Sequence, residues 1–172
     1  MKRGFYQQFA LVLFSTLILS LLFTGCHRQK RQKDTIVVSH PFENCNWTFK
    51  EEVTDMYFDI TDTATPYRIE FELTYDSVLN KIDELPITVT LGTPDGMETY
   101  VTSAFEFDRN LNKTITATGR GNECSMTVVA FPEKKLKQMG KYHINFYRKA
   151  KKYDNYGMNC LTMKVVPLTD KK

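Results

Sequence analysis

Cys26 has the most defined chemical setting of any residue in this chain. It closes the stretch 11–26, LVLFSTLILSLLFTGC, and directly follows Phe23, Thr24 and Gly25. Small residues before a cysteine, at the exit of an apolar run, resemble a bacterial lipobox, with Phe23 where the usual pattern has Leu. The chemistry this implies is cleavage ahead of Cys26 and acylation of the new N-terminus. Two flanking features agree. Lys2 and Arg3 supply a short basic start, and the apolar and small-residue run from 9 to 23 is 15 residues long. A permanent span needs about 20 residues, so the expectation is a removable signal peptide over 1–25. Several acyl chains, at about 0.8 kcal/mol per buried methylene, would then hold the protein on a bilayer without a spanning helix.

The other candidate groups assemble into less. Cys45, Cys124 and Cys160 remain after Cys26 is taken by lipid. In an exported, oxidising setting an odd number allows at most one bridge and leaves one thiol over. The pairing is open, and buried free cysteines are the alternative. His27, His40 and His143, with the carboxylates, show no zinc-ligand spacing, no glycine-rich loop follows a strand, and no nucleophile elbow is present. Asp55, Asp59 and Asp62 read as a calcium loop or as plain surface charge. The expectation is therefore no enzyme, no metal and no cofactor. Trp47 reads as a core plug, and Tyr147, Tyr153 and Tyr156 as a candidate loop platform for sugar rings. Asp34-Thr35-Ile36, Asp62-Thr63-Ala64 and Asp76-Ser77-Val78 resemble the O-glycosylation sequon of Bacteroidetes, which makes Thr35, Thr63 and Ser77 candidate acceptors. Asp followed by Ser or Thr is also turn chemistry.

The elements that must position these groups are strands. Removing 1–25 leaves 147 residues, one ordinary domain. Lys2 and Arg3 leave with the signal peptide, so 21 basic residues face 20 acidic ones, and a charge near +1 gives no electrostatic reason to expect nucleic acid as a partner. A basic tether over 26–34 carries Arg28, Lys30, Arg31 and Lys33, suited to solvent or to anionic headgroups. No acidic residue stands between Cys26 and Asp34, which favours a periplasm-facing anchor over the cell surface. Strict alternation in 67–75, YRIEFELTY, puts five apolar side chains on one sheet face. Met56, Phe58 and Ile60 repeat the scheme, as do Ile87, Val89 and Leu91; Tyr142, Ile144 and Phe146; and Leu161, Met163 and Val165. Thr93-Pro94-Asp95-Gly96 supplies a turn. Residues 113–118 read as a short polar strand and 124–131 as a buried one. Residues 132–139, PEKKLKQM, could form one or two helical turns. The spacing predicts an all-β antiparallel sandwich of roughly eight or nine strands, immunoglobulin-like or jelly-roll-like, over 35–169, with a polar tail at 170–172.

One family likeness covers nearly all of the mature chain. Trp47-Thr48-Phe49, then Phe58-Asp59-Ile60-Thr61-Asp62-Thr63, then Pro66-Tyr67-Arg68-Ile69 with Phe71 and Leu73 resemble the GldH family of gliding-motility lipoproteins from Bacteroidetes. Leu85-Pro86-Ile87-Thr88-Val89, Pro94-Asp95-Gly96, Phe131-Pro132-Glu133 and Gly140-Lys141-Tyr142 continue the match in order. The resemblance implies a non-enzymatic envelope lipoprotein that works by protein contacts, with partners among the proteins of a gliding-type apparatus. The expected location is the outer membrane facing the periplasm, with inner membrane or cell surface as alternatives. A carbohydrate-binding sandwich lipoprotein is the alternative function.

Overall fold

A computed structural model describes residues 34–48, 51–107, 123–148 and 154–168, without the side chain of Asp55. The signal peptide, Cys26 and its tether through Lys33, Tyr153, the expected strand at 113–118 and the tail at 170–172 lie outside these residues. The described chain is all-β. Ten strands follow in order: β1 Ile36–Pro41, β2 Asn46–Trp47, β3 Val53–Ile60, β4 Pro66–Asp76, β5 Glu84–Gly92, β6 Glu98–Glu106, β7 Glu123–Lys135, β8 Gly140–Arg148, β9 Asn155–Tyr156 and β10 Met158–Pro167. A single 3-10 turn, Glu43–Cys45, lies between β1 and β2.

Eight long strands form two four-stranded antiparallel sheets, β1-β10-β4-β7 and β3-β8-β5-β6, and β2 and β9 pair as a two-residue ribbon. Counting long strands only, the first pairs with the last and the second with the second-to-last, down to the β5–β6 hairpin at the centre. This nesting is the jelly roll. An immunoglobulin sandwich, in which the first two strands pair with each other, is excluded.

Alternation produces the layers. Tyr67, Ile69, Phe71 and Leu73 of β4, Leu85, Ile87, Val89 and Leu91 of β5, and Tyr142, Ile144 and Phe146 of β8 all point inward and are buried. Leu161, Met163 and Val165 of β10 complete one contiguous core shared by both sheets. Area removed from water drives the assembly, at about 25 cal/mol per Å² of apolar surface.

Two expectations need correction. Residues 132–135 are not helical but extend β7 to Lys135. Pro132 is tolerated because β7 is an edge strand and the register slips between Tyr67↔Lys134 and Ile69↔Phe131, placing the proline in a bulge. Nor is 124–131 buried on both sides: Cys124 and Ala130 face the core, while Val129 is exposed.

The sandwich has two distinct ends. β1 starts, and β10 finishes, at the end formed by the β3–β4, β5–β6 and β7–β8 turns. The opposite end carries the β1–β3 connection with its ribbon strand, the β4–β5 turn and the β8–β10 connection.

Candidate functional site

The far end, opposite the start of β1, gathers most of the unusual chemistry. Its centre is Trp47, which is fully buried. The indole stacks on Phe42 at 4.6 Å, meets Phe146 at 5.6 Å, and donates its Nε1–H to the Glu51 carbonyl at 3.1 Å. The Arg148 guanidinium lies over the same ring at 5.7 Å. Burial lowers the Arg148 pKa, while the negative charges of Asp154 and Glu51 oppose that shift. His40 Nε2 and Glu51 Oε1 are 3.2 Å apart, which ties β1 to the loop that carries Glu51.

Backbone hydrogen bonds then join loops distant in sequence. Gly157 N–H donates to the Cys45 carbonyl at 2.8 Å, Asp76 N–H to the Gly157 carbonyl at 2.7 Å, and Phe42 N–H to the Asn159 carbonyl at 2.9 Å. Gly157 has φ +81°, and a Cβ there would stand 2.9 Å from Asn80 N and Leu79 Cβ. Only glycine lets the β9 segment approach the β4–β5 turn this closely. Asn44 and Cys45 both adopt φ +52°, a left-handed pair rare outside glycine that ends the 3-10 turn. The surface result is an apolar group of Val78, Leu79 and Tyr156, all exposed, around Gly157.

The expected site residues distribute unevenly. Cys45, Cys124 and Cys160 are not joined by disulfides. Cys124 points into the core from β7, whereas Cys160 lies on the outer face of the same sheet, its Sγ 3.7 Å from Thr162 Oγ1. Those two sulfurs are on opposite sides of the sheet, so that pairing is geometrically closed. The calcium reading of Asp62 also meets a competing use. Its buried carboxylate accepts from Ala64 N–H at 2.9 Å, Thr65 N–H at 3.3 Å and Thr65 Oγ1 at 2.7 Å. Asp59 pairs across strands with Lys141. Among the described residues no group of three or more His, Cys, Asp or Glu could hold a metal ion.

Tyr147 and Tyr156 do not share a surface: Tyr147 is on the outer face of β8 opposite Thr88, and Tyr156 is on the ribbon opposite Asn46. Tyr57, which alternation sets outside, joins Tyr147, Tyr100 and His143 on the outer face of the second sheet. His143 lies flat over Gly92, where a Cβ would be 1.9 Å from its Cε1. That site was missed because cross-strand neighbours are invisible without the register. Thr35 and Ser77 are exposed and Thr63 is half-buried. Asp76 Oδ1 accepts from Val78 N–H at 2.7 Å and Leu79 N–H at 3.0 Å, so Asp62 and Asp76 both act as turn caps. Among the described residues no helix is long and apolar enough to cross a membrane.

No protein-family model and no curated protein matches the chain. The solved structures it is similar to include virus-particle chains. The VP2 subviral particle of infectious bursal disease virus is 16% identical with TM-score 0.38, over 83% of this chain and 34% of that one. The T13 particle of the same virus gives 13% and 0.40, over 79% and 32%. Desmodium yellow mottle tymovirus gives 14% and 0.31, over 83% and 94%. The chain thus spans about a third of the VP2 chains. Likeness this low carries no argument about function, and the jelly roll stands on the strand order alone.

Proposed function

We propose that the chain is a non-enzymatic, lipid-anchored domain of the bacterial envelope that recognises a protein partner with the far end of its sandwich. One observation carries this reading: β1, which the tether enters, begins at the end opposite to the Val78–Leu79–Tyr156 group. An anchor at Cys26 would hold one end, leaving the other free to meet a partner. Apolar side chains on ordered loops are the usual material of such contacts. The resemblance in sequence narrows the partner to proteins of a gliding-type apparatus, with the anchor in the outer membrane facing the periplasm.

Two measurements test it. The mass of the membrane-extracted protein should equal the chain from Cys26 plus acyl groups, and Cys26→Ser should move the protein to the soluble fraction. Photo-crosslinkers at Leu79 and Tyr156, in the native envelope, should trap one defined protein, while a crosslinker at Lys164 on the outer sheet face should not. Equal or absent trapping at the three positions would overturn the contact reading.

A second reading, carbohydrate binding, is supported by the outer face of the second sheet. Tyr57, Tyr100, His143 and Tyr147 stand there among Thr88, Thr90, Thr102 and Asn145, rings beside hydrogen-bonding groups. Loss of polysaccharide retention in Tyr57→Ala and Tyr100→Ala, with the far-end crosslinks intact, would favour it.

A further inference from the structure

The end where β1 begins carries an apolar group of its own. Met97 is 68% exposed and Met139 64% exposed, and Tyr100, on β6 three residues after Met97, is 72% exposed. The two methionines belong to two adjoining connections. Gln138 Nε2–H donates to Asp95 Oδ2 at 2.6 Å, and a Cβ on Gly140 would touch Pro94 at 3.4 Å, so the β5–β6 and β7–β8 turns are packed together. Each turn is also closed on itself. Thr93 N–H donates to the Met97 carbonyl at 2.9 Å, and Met97 N–H to Thr93 Oγ1 at 3.0 Å. Tyr142 OH donates to the Gln138 carbonyl at 2.9 Å. The two methionines are thus presented on a rigid base, so little order is lost when they are covered.

We propose that this end lies on the bilayer, with Met97 and Met139 entering the boundary between headgroups and acyl chains and Tyr100 at headgroup level. The inference rests on the lipid anchor at Cys26 proposed above. Chain length favours it. Ten peptide steps separate Cys26 from Ile36, at most about 36 Å. A nine-residue strand is about 30 Å long. If the far end faced the membrane, the tether would have to run back nearly straight along the whole sandwich. With the methionine end down, the same tether is slack.

Chemistry also favours a bilayer over an anionic polymer. Lys134, Lys135, Lys137 and Lys141 border the patch, but so do Asp59, Asp95, Glu98 and Glu133. The domain surface is balanced there, and Lys141 already covers the Tyr57 ring at 4.4 Å. Net positive charge comes from Arg28, Lys30, Arg31 and Lys33 of the tether. The division is an apolar contact from the domain and an electrostatic contact from the tether. Thioether side chains, a tyrosine and flanking lysines suit an interfacial contact of this kind.

The test separates docking from acylation. The chain from residue 26, carrying Cys26→Ser and a leading hexahistidine, is held on vesicles of phosphatidylethanolamine, phosphatidylglycerol, brominated phosphatidylcholine and a nickel-chelating lipid. This chain is the mature form of the proposed lipoprotein and keeps every described core residue. Single Met97→Trp, Met139→Trp and Leu79→Trp variants report bromine quenching against the buried Trp47, whose unchanged emission reports folding. Quenching at 97 and 139, with none at 79, is the expected result. Met97→Ser with Met139→Ser, read without nickel lipid, should lower vesicle partitioning by about tenfold or more. Absent quenching at 97 and 139, quenching at 79, or a concentration-dependent dimer that buries both methionines would each overturn the proposal. Because nickel replaces the acyl group, a failed anchor shows in the mass of the native protein instead.

Discussion

At the tether end, Asp62 takes its donors from Ala64 and Thr65, two and three residues on, and Thr93 closes on Met97, four residues on. At the far end, Gly157 donates to Cys45 and Phe42 donates to Asn159, bonds that cross more than a hundred residues of chain. One end is built of turns that each close locally, with Gln138–Asp95 and Leu168–Pro66 bonds tying them to their neighbours, whereas the other is tied together by main-chain bonds among three distant loops. The self-held turns form a firm base. The far-end loops share one buried indole, so damage there should spread from loop to loop. On the proposed reading, the surface that recognises a partner is assembled from distant parts of the chain, and the surface that rests on the bilayer is not.

The largest effect expected from this contrast is Trp47→Ala. Truncating a fully buried indole between Phe42, Phe146 and Arg148 should cost about 3–5 kcal/mol. Denaturant unfolding gives the total, and hydrogen exchange should show loss of protection at 42–48 and 154–159 while 93–97 stays protected. Uniform loss at both ends would break the comparison.

Gly157→Ala comes next, at about 2 kcal/mol, because its Cβ would meet backbone at Asn80 and Asp76 and its φ of +81° is strained for any side chain. Gly92→Ala is the informative contrast. The three atoms nearest its Cβ all belong to the His143 imidazole, which can rotate away, so a loss of about 1–1.5 kcal/mol is expected. The Gly92→Ala and His143→Ala pair should recover most of it in a double-mutant cycle. No such rescue exists for Gly157, whose nearest neighbours are main-chain atoms of Asn80 and Asp76 and the Leu79 Cβ, which no side-chain rotation moves. Equal behaviour of the two glycines would show that the far-end loops can yield after all.

The same contrast separates what was legible in the sequence from what was not. Alternation in 67–75 defines β4, and the Pro-Asp-Gly turn at 94–96 falls where β5 meets β6, because both signals are local. Asn155 and Tyr156 look like a plain break between strands, yet they pair with Asn46 and Trp47. A two-residue strand has no period to read. Residues 132–135 mislead because a proline and lysines suggest an excursion, while an edge strand with a bulge accommodates both. Tyr57 is placed outside by its own alternation, but its meeting with His143 at 6.3 Å depends on the β3–β8 register. Nesting of the long strands, which decides jelly roll over immunoglobulin, is likewise a long-range property.

Tyr67 offers the smallest effect at neutral pH and the cleanest sign. Its hydroxyl donates to the Asp62 carbonyl at 2.7 Å beneath the β3–β4 turn. Tyr67→Phe leaves that buried carbonyl short of a partner, at about 1 kcal/mol. Burial, and then the Asp62 charge, push the Tyr67 pKa from 10.0 up to about 12. The folded state therefore favours the neutral phenol more than the unfolded chain does. The resulting stability is fully present below pH 10 and is lost as pH rises toward about 12. Stability measured from pH 9 to 12 should fall in the natural chain and fall less in Tyr67→Phe. Because the turn is held locally, exchange protection should be lost first at 61–67, with the Trp47 emission unchanged. If the indole responded at the same pH, the two ends would be one cooperative unit, and the division of labour between them would need another cause.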